Sequence, residues 1–522
     1  MPTALYRLLL SLALLLPLGA QAGDALEFTR AGASDQVRLL EHWSASPTAE
    51  RRAFLDALQQ GRIGTDKDKN PYVQEAGQWL PLEAESTAQD TPRVLRLNNR
   101  LRGLLNTALA SHALSDEDAS ARLDAARTLQ RNAPPALLPV LEQRFAQEGD
   151  DAVHDALALA LANLQLASPE AATRLKAVRL LGETGEPLAK IRLQGLLDGD
   201  ETDPAVRKAA ETSLAQVERK LFIGELLGQA FSGLSLGSIL LLAALGLAIT
   251  FGLLGVINMA HGEMLMLGAY STYLVQIGFQ RLAPEYLALY PLAALPVAFL
   301  VTAAIGMALE RTVIRHLYGR PLETLLATWG ISLILIQLVR VIFGAQNVEV
   351  ANPAWLSGGW QVLPNLVLPW NRIVIIGFAL FVVALTWLLL NRTRLGLNVR
   401  AVTQNRNMAA CCGVPTGRVD MLAFGLGSGI AGLGGVALSQ IGNVGPDLGQ
   451  GYIIDSFLVV VLGGVGQLAG SISAAFGLGV LNKILEPQIG AVLGKILILA
   501  LIILFIQKRP QGLFALKGRV ID

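Results

Sequence analysis

Between Leu226 and Gly262 the chain runs for 37 residues without an Asp, Glu, Lys or Arg. Such a run belongs in a bilayer, where a charged side chain costs several kcal/mol. Drawn as one straight helix it would be about 55 Å long, against a hydrocarbon layer of about 30 Å. It must therefore bend or turn back, and Gly252, Gly255 and Asn258 are the residues that permit it.

The run has company. Apolar passages recur at 227–251, 262–279, 289–309, 323–343, 373–390, 420–440, 454–466, 470–485 and 488–507. Most reach the ~20 residues that a tilted crossing needs. Ser456 to Asn482 is also uncharged but is interrupted by Gly463, Gly464, Gly466 and Gly470. It reads as a short or re-entrant helix hairpin, tolerable only where protein covers the broken backbone.

Charge divides the chain near residue 222. Residues 1–222 hold 25 Lys+Arg and 30 Asp+Glu, whereas 223–522 hold 17 and 11. The first density is that of a soluble domain and the second is not. A net charge of +1 argues against a nucleic-acid binder working through a basic face.

Residues 1–22 carry Arg7, the apolar run Leu8 to Leu18, and Ala20-Gln21-Ala22. This is the layout of a signal peptide cleaved after Ala22, the apolar run being too short to cross. Residues 23–222 are then an exported domain and 223–522 a membrane domain. The only cysteines, Cys411 and Cys412, lie outside the exported domain, so it has no disulfide.

That domain repeats itself. Ala121-Arg122-Leu123-Asp124-Ala125-Ala126-Arg127 matches Thr173-Arg174-Leu175-Lys176-Ala177-Val178-Arg179 at an offset of 52, and Asp151-Ala152-Val153-His154 matches Pro204-Ala205-Val206-Arg207 at 53. Each unit reads as a helix pair with apolar residues at i, i+3 and i+4. Helices at 34–60 and 93–113 cap the stack, and Tyr72–Gln74 with Gln78–Leu80 forms a small β-hairpin. The pattern resembles HEAT-type repeats. The expected fold is all-α: a polytopic α-helical membrane domain preceded by an exported helical-repeat domain. His42, His112 and His154 lack metal-ligand spacing, so a docking platform suits these repeats better than chemistry.

Orientation follows from two independent signals. Export of the first domain puts the start of the first crossing outside. Alternation then places Arg311, Arg315 and Arg320, next Arg392, Arg394, Arg400, Arg406 and Arg418, and finally Lys508, Arg509, Lys517 and Arg519 inside. Arg281 and Arg372 fall outside. This is the positive-inside arrangement, with a cytoplasmic C-terminus.

Enzymatic chemistry has no foothold. Gly490–Ile496 lacks the spacing and the closing Ser/Thr of a phosphate loop, and no His-Glu-x-x-His is present. Gly233-Leu234-Ser235-Leu236-Gly237 spells a nucleophile elbow inside an uncharged run with no strand before it. Cys411-Cys412 reads as small apolar packing. No catalytic or metal-binding residue is expected.

Three constellations remain. Asn258, His261 and Glu263 sit at the bend of the first apolar run, either lining a pathway or satisfying a turn between two helices. Ala401 to Cys412 forms a short loop helix stopped by Gly413, with an apolar stripe suited to a partner groove or, more simply, with basic residues that anchor the loop inside. Gly425, Gly427, Gly429, Gly432, Gly434 and Gly435 permit close helix contacts.

Ile257–Tyr270, Arg400–Val414, Val461–Ser471 and Lys508–Phe514 together resemble the permease subunits of the branched-chain amino acid family of ABC importers. The resemblance covers about 225–516, and the long exported extension is similar to that of the first permease of the urea-type importer in this family. It implies a bacterial inner-membrane, multi-pass subunit paired with a second permease. Two cytoplasmic ATP-binding subunits and an extracytoplasmic solute-binding protein complete the assembly. ATP is used by the partners and no cofactor is bound by this chain. The resemblance makes 400–413 the ATPase coupling loop, carried by Arg400, Val402, Met408, Ala409, Ala410, Cys412 and Gly413, with Val402, Met408, Ala409 and Cys412 seated in the ATPase groove. The expected cargo is urea or a short-chain amide; branched-chain amino acids are the alternative within the class. A membrane-anchored exported receptor is the alternative from another class, and it would not need so many Gly-broken helices.

Overall fold

The computed structural model describes residues 18–75, 78–82, 92–199 and 201–514. The signal-peptide reading falls mainly on 1–17, outside the described residues. The chain is mostly helical and divides into two compact units, Met1–Ile223 and Gly224–Asp522.

The first unit begins with α1 (Leu18–Arg30), α2 (Ala33–Ala45) and α3 (Ala49–Gln59). The helix expected over 34–60 is thus two. Pro47 cannot continue a helix, and Ser46 and Thr48 beside it have left helical geometry. Four antiparallel strands follow: β1 (Ile63–Thr65), β2 (Pro71–Glu75), β3 (Gln78–Pro81) and β4 (Arg93–Val94), in the order β3-β2-β1-β4. The expected hairpin is β2–β3, with Val73 opposite Leu80 and Gln74 opposite Trp79. Residues 93–94 pair with Thr65 and Gly64 instead of opening a helix. That helix, α4 (Asn99–Ala113), starts only where the Asn98 side chain accepts the Leu101 N–H. Trp43, Phe28 and Phe54 form the aromatic centre of this end, their rings 5.7–6.0 Å apart.

The repeat is visible atom by atom. Its helices are α5 (Ala119–Asn132), α6 (Leu138–Gln147), α7 (Asp151–Leu166), α8 (Ala171–Glu183), α9 (Pro187–Asp198) and the start of α10 (Pro204–Leu254). Arg122 donates Nε and Nη2 to both oxygens of Glu148 at 2.9 Å and Nη1 to the carbonyls of Asp116 and Glu117. Arg174 does the same to Glu201 at 2.8 Å and to the carbonyls of Ser168 and Pro169. Asp150 caps α7 through Ala152 and Val153, and Asp203 caps α10 through Ala205 and Val206. The same bidentate fork closes each helix pair.

In the second unit the later part of α10 is followed by α11 (His261–Leu282), α12 (Tyr290–Thr312) and α13 (Pro321–Phe343). A hairpin of β5 (Gly359–Leu363) and β6 (Leu366–Pro369) leads into α14 (Trp370–Arg392). Two short helices, α15 (Arg394–Gln404) and α16 (Arg406–Cys411), precede α17 (Thr416–Ser439), α18 (Leu448–Gly463), α19 (Leu468–Ile489) and α20 (Ala491–Lys508). Among the described residues seven helices are long and apolar enough to cross a bilayer, while α18 is shorter.

Glycine sets how closely these helices meet. A Cβ on Gly435 of α17 would lie 2.0 Å from the Leu265 carbonyl of α11, and one on Gly427 2.7 Å from the Gly246 carbonyl of α10. Gly432 faces Thr302 of α12 just as tightly. Backbone therefore lies on backbone where α17 meets α10 and α11, and on the Thr302 side chain where it meets α12. The same reason accounts for Gly233 and Gly237, which press on the backbone of α19 at Val480 and Phe476 rather than presenting Ser235 as a nucleophile.

The glycines at 463–470 make the expected hairpin. Gly464 and Gly466 adopt φ of +99° and +81°, turning α18 into α19, with Gly463 against Gly470. Leu513 donates its N–H to the Leu462 carbonyl, and Gly466 touches Gly252. The hairpin turn, the end of α10 and residues 511–514 thus share one end of the unit.

Candidate functional site

The uncharged run breaks where its glycine allows. α10 ends at Leu254, Gly255 adopts φ +69°, and α11 starts at His261. The connecting residues do not stay at the helix end. His261 donates Nε2–H to the Ala243 carbonyl at 3.0 Å, about three turns back along α10, and its ring packs against Gly246. α11 therefore begins deep within the bundle.

The three polar residues of this break are 2%, 0% and 1% exposed in the order Asn258, His261, Glu263. Asn258 Oδ1 accepts the Ala260 N–H at 3.1 Å, closing the turn. Glu263 Oε1 accepts from the Ser332 hydroxyl at 2.9 Å, and Thr328 Oγ1 accepts the Met259 N–H at 3.1 Å. One side of each group is spoken for. Asn258 Nδ2, His261 Nδ1 and Glu263 Oε2 have no hydrogen-bond partner. Leaving three buried polar atoms unmet in one place costs stability. The break is both a hydrogen-bonded turn and a set of donors and acceptors held in reserve.

Beside it lies a cavity of about 220 Å³, walled by Leu247, Phe251, Ile257, Asn258, Leu325 and Phe457. Toward the other end of α10 a second cavity of about 210 Å³ is lined by Ser232, Ser235, Arg372, Asn443, Tyr452 and Lys483. Arg372 there donates to the Ser232 hydroxyl at 2.8 Å, and Ser235 Oγ is buried without a partner. Among the described residues no group of His, Cys, Asp and Glu could hold a metal ion.

The segment 400–413 departs from its expected form. The helix over 401–412 is broken at Asn405, whose φ is −157° and whose side chain accepts the Met408 N–H to start α16 afresh. Gly413, at φ +83°, stops it. The apolar residues consequently do not share one outward stripe. Val402 and Ala409 are buried in the core of the unit, so neither is free to seat in a partner groove. Met408, 60% exposed, faces outward with Ala410, Cys411 and Cys412. The cysteine pair is exposed, not packed as small apolar filler. Arg400 is exposed and donates to Asn391 Oδ1 at 3.0 Å.

Several residues of the site escape a local reading. Thr328 and Ser332 stand one turn apart on α13 and reach the break only through tertiary packing. Asp420 is buried in the second turn of α17 and paired with Arg406. Its signal was an acid opening an apolar passage.

The fold and the break define a polytopic α-helical membrane protein built around an interrupted helix. Residues 229–506 match the family model described as branched-chain amino acid transport system, permease component, and the chain belongs to that family. It is similar to the high-affinity branched-chain amino acid transport system permease protein LivH of Salmonella typhimurium, 28% identical over 55% of this chain and 94% of that protein. BraD of Pseudomonas aeruginosa, of the same description, is 29% identical over 55% of this chain and 95% of its own. A probable LivH of Methanocaldococcus jannaschii is 24% identical over 53% and 88%. No solved structure matches the chain. The relatives are transport permeases rather than enzymes.

Proposed function

We propose that this chain is a permease subunit of an ABC importer that brings urea or a short-chain amide into the cytoplasm. A second permease completes the conduit, two ATP-binding subunits dock on 400–413, and an extracytoplasmic solute-binding protein delivers the cargo. The C-terminus and residues 394–415 lie in the cytoplasm, and residues 23–222 on the opposite side of the inner membrane.

The observation that carries this reading is the interrupted helix. It puts uncharged or unpaired donors and acceptors, Asn258, His261 and Glu263, inside a transport permease. A neutral solute that can donate and accept hydrogen bonds would meet those needs in passing, without a counter-ion. The 23–222 extension lies before the family match at 229–506, and its resemblance to the extension of the urea-type importer's first permease is the ground for preferring urea within the class.

Branched-chain amino acid import is the second reading, favoured by the printed names of LivH and BraD. Uptake of labelled urea and labelled leucine by cells with and without this chain separates the two. Loss of urea uptake alone is expected; loss of leucine uptake with urea untouched would overturn the cargo assignment.

A further inference from the structure

Arg406 opens α16 and holds three elements together. Its guanidinium forms an ion pair with Asp420 of α17. It also lies over the Tyr318 ring, 4.7 Å from the centroid. The Tyr318 hydroxyl in turn donates to Glu310 Oε1, at 3.4 Å, in the last turns of α12. Glu310 and Asp420 are both buried.

The balance of charge here is unusual. Two buried carboxylates lie near one another here, with the guanidiniums of Arg315 and Arg311 also close to Glu310 and that of Arg315 to Asp420, and Asp420 Oδ1 has no hydrogen-bond partner. Arg406, its side chain 43% exposed, is the hydrogen-bonded counter-charge of Asp420. A buried carboxylate deprived of such a partner is strongly destabilised. The guanidinium is flat and forked, so it can pair with a carboxylate on one edge while stacking on an aromatic face.

Its position in the chain gives this pairing a direction. α16 is bounded by the Asn405 cap and the Gly413 stop, and its outward surface is Met408, Ala410 and Cys411, with Cys412 just beyond. Arg406 ties α16 to α17 and, through Tyr318, to the end of α12, beside the buried Ala409 that shares a core cluster with Val419 and Ala423 of α17. α17 bears backbone to backbone on α10 at Gly427–Gly246, beside the His261 ring, and on α11 at Gly435–Leu265. A displacement of α17 therefore reaches the interrupted helix without passing through a flexible side chain.

We propose that Arg406 is the positioning residue that converts engagement of 408–412 by a cytoplasmic ATP-binding partner into movement of α12 and α17. Asp420 and Tyr318 are its two anchor points. This rests on the importer reading.

The test uses the whole importer, purified through a tag on this chain and reconstituted in liposomes. Retained ATP-binding subunits, ATP hydrolysis and urea uptake are measured together. Arg406→Met is expected to keep the ATP-binding subunits and hydrolysis while urea moved per ATP falls about tenfold. Arg406→Lys, which keeps a cation beside Asp420 but loses the stacked plane, is expected to fall between. Arg406→Met combined with Asp420→Asn should be no worse than Arg406→Met alone, as for residues that act as one unit.

Unchanged transport per ATP in Arg406→Met, or independent losses that multiply in the double variant, would overturn the proposal. So would loss of the ATP-binding subunits from both Arg406 variants, since Arg406 would then belong to the docking surface. If Arg406→Met does not assemble, Arg406→Lys decides by the same ratio. An unaltered chain that carries no ATP-binding subunit would refute the importer reading itself, and is told apart by that control.

Discussion

Burial holds the His112 imidazole at a pKa of about 4, below its ordinary 6.5, and the guanidiniums of Arg51 and Arg52 push the same way. The folded unit keeps the ring neutral where the unfolded chain takes up a proton. Stability from this group is complete above pH 6.5 and is lost as the pH falls from there toward 4. Glu148 and Glu201 act in the same sense lower down, because Arg122 and Arg174 hold their carboxyls below the usual range. Their contribution drains away only as the pH drops through the acid range. Hydrogen exchange at the α4 amides, followed between pH 7 and 4, should show protection falling with acid. Replacing His112 by Gln should flatten that fall above pH 4. A slope unchanged in His112→Gln would show that the imidazole is not its source.

At the scale of elements, the close seams of α17 make a sharp claim. Gly435→Ala places a methyl carbon 2.0 Å from a carbonyl oxygen, and no rotamer relieves it. The expected cost is about 1–3 kcal/mol, read as a lower unfolding midpoint in detergent. Gly442→Ala, in open space, should leave that midpoint where it was. The positions of the membrane helices are plain from the sequence, because loss of charge over twenty residues has few other meanings. So is the bend near Gly255, since the run is too long to be straight. Its depth is not legible. Depth depends on His261 reaching Ala243, 18 residues back, and on Thr328 and Ser332 arriving from α13, each 69 residues from its partner, and no local pattern encodes such contacts. The segment 400–413 misleads for a related reason. Val402 and Ala409 suit a helical stripe only if the helix is continuous, and Asn405 resets its phase. In the first unit the repeat was readable from Arg122 and Arg174. The break at Pro47 and the strand at 93–94 were obscured by helix-forming neighbours whose preferences tertiary pairing overrides.

The whole molecule carries its own topological reporter. Its two cysteines are adjacent, exposed and confined to the segment assigned to the cytoplasm. A membrane-impermeant maleimide should leave the native chain unlabelled in intact cells and label it once the inner membrane is opened. A thiol placed on the exposed Ser120 by Ser120→Cys should react before permeabilisation. The reverse order would invert the assigned orientation.

The glycine seams also bear on what can move. A contact made by interlocking side chains can be re-made in another register by changing rotamers, as gears slip a tooth. At Gly427–Gly246 and Gly435–Leu265, where α17 lies on α10 and α11, the closest atoms are backbone, and a slide there drives a carbonyl into the facing chain. These seams are welds. The expectation is that α10, α11 and α17 keep their mutual geometry and move as one body in a transport cycle, so that a push on α17 carries the interrupted helix with it.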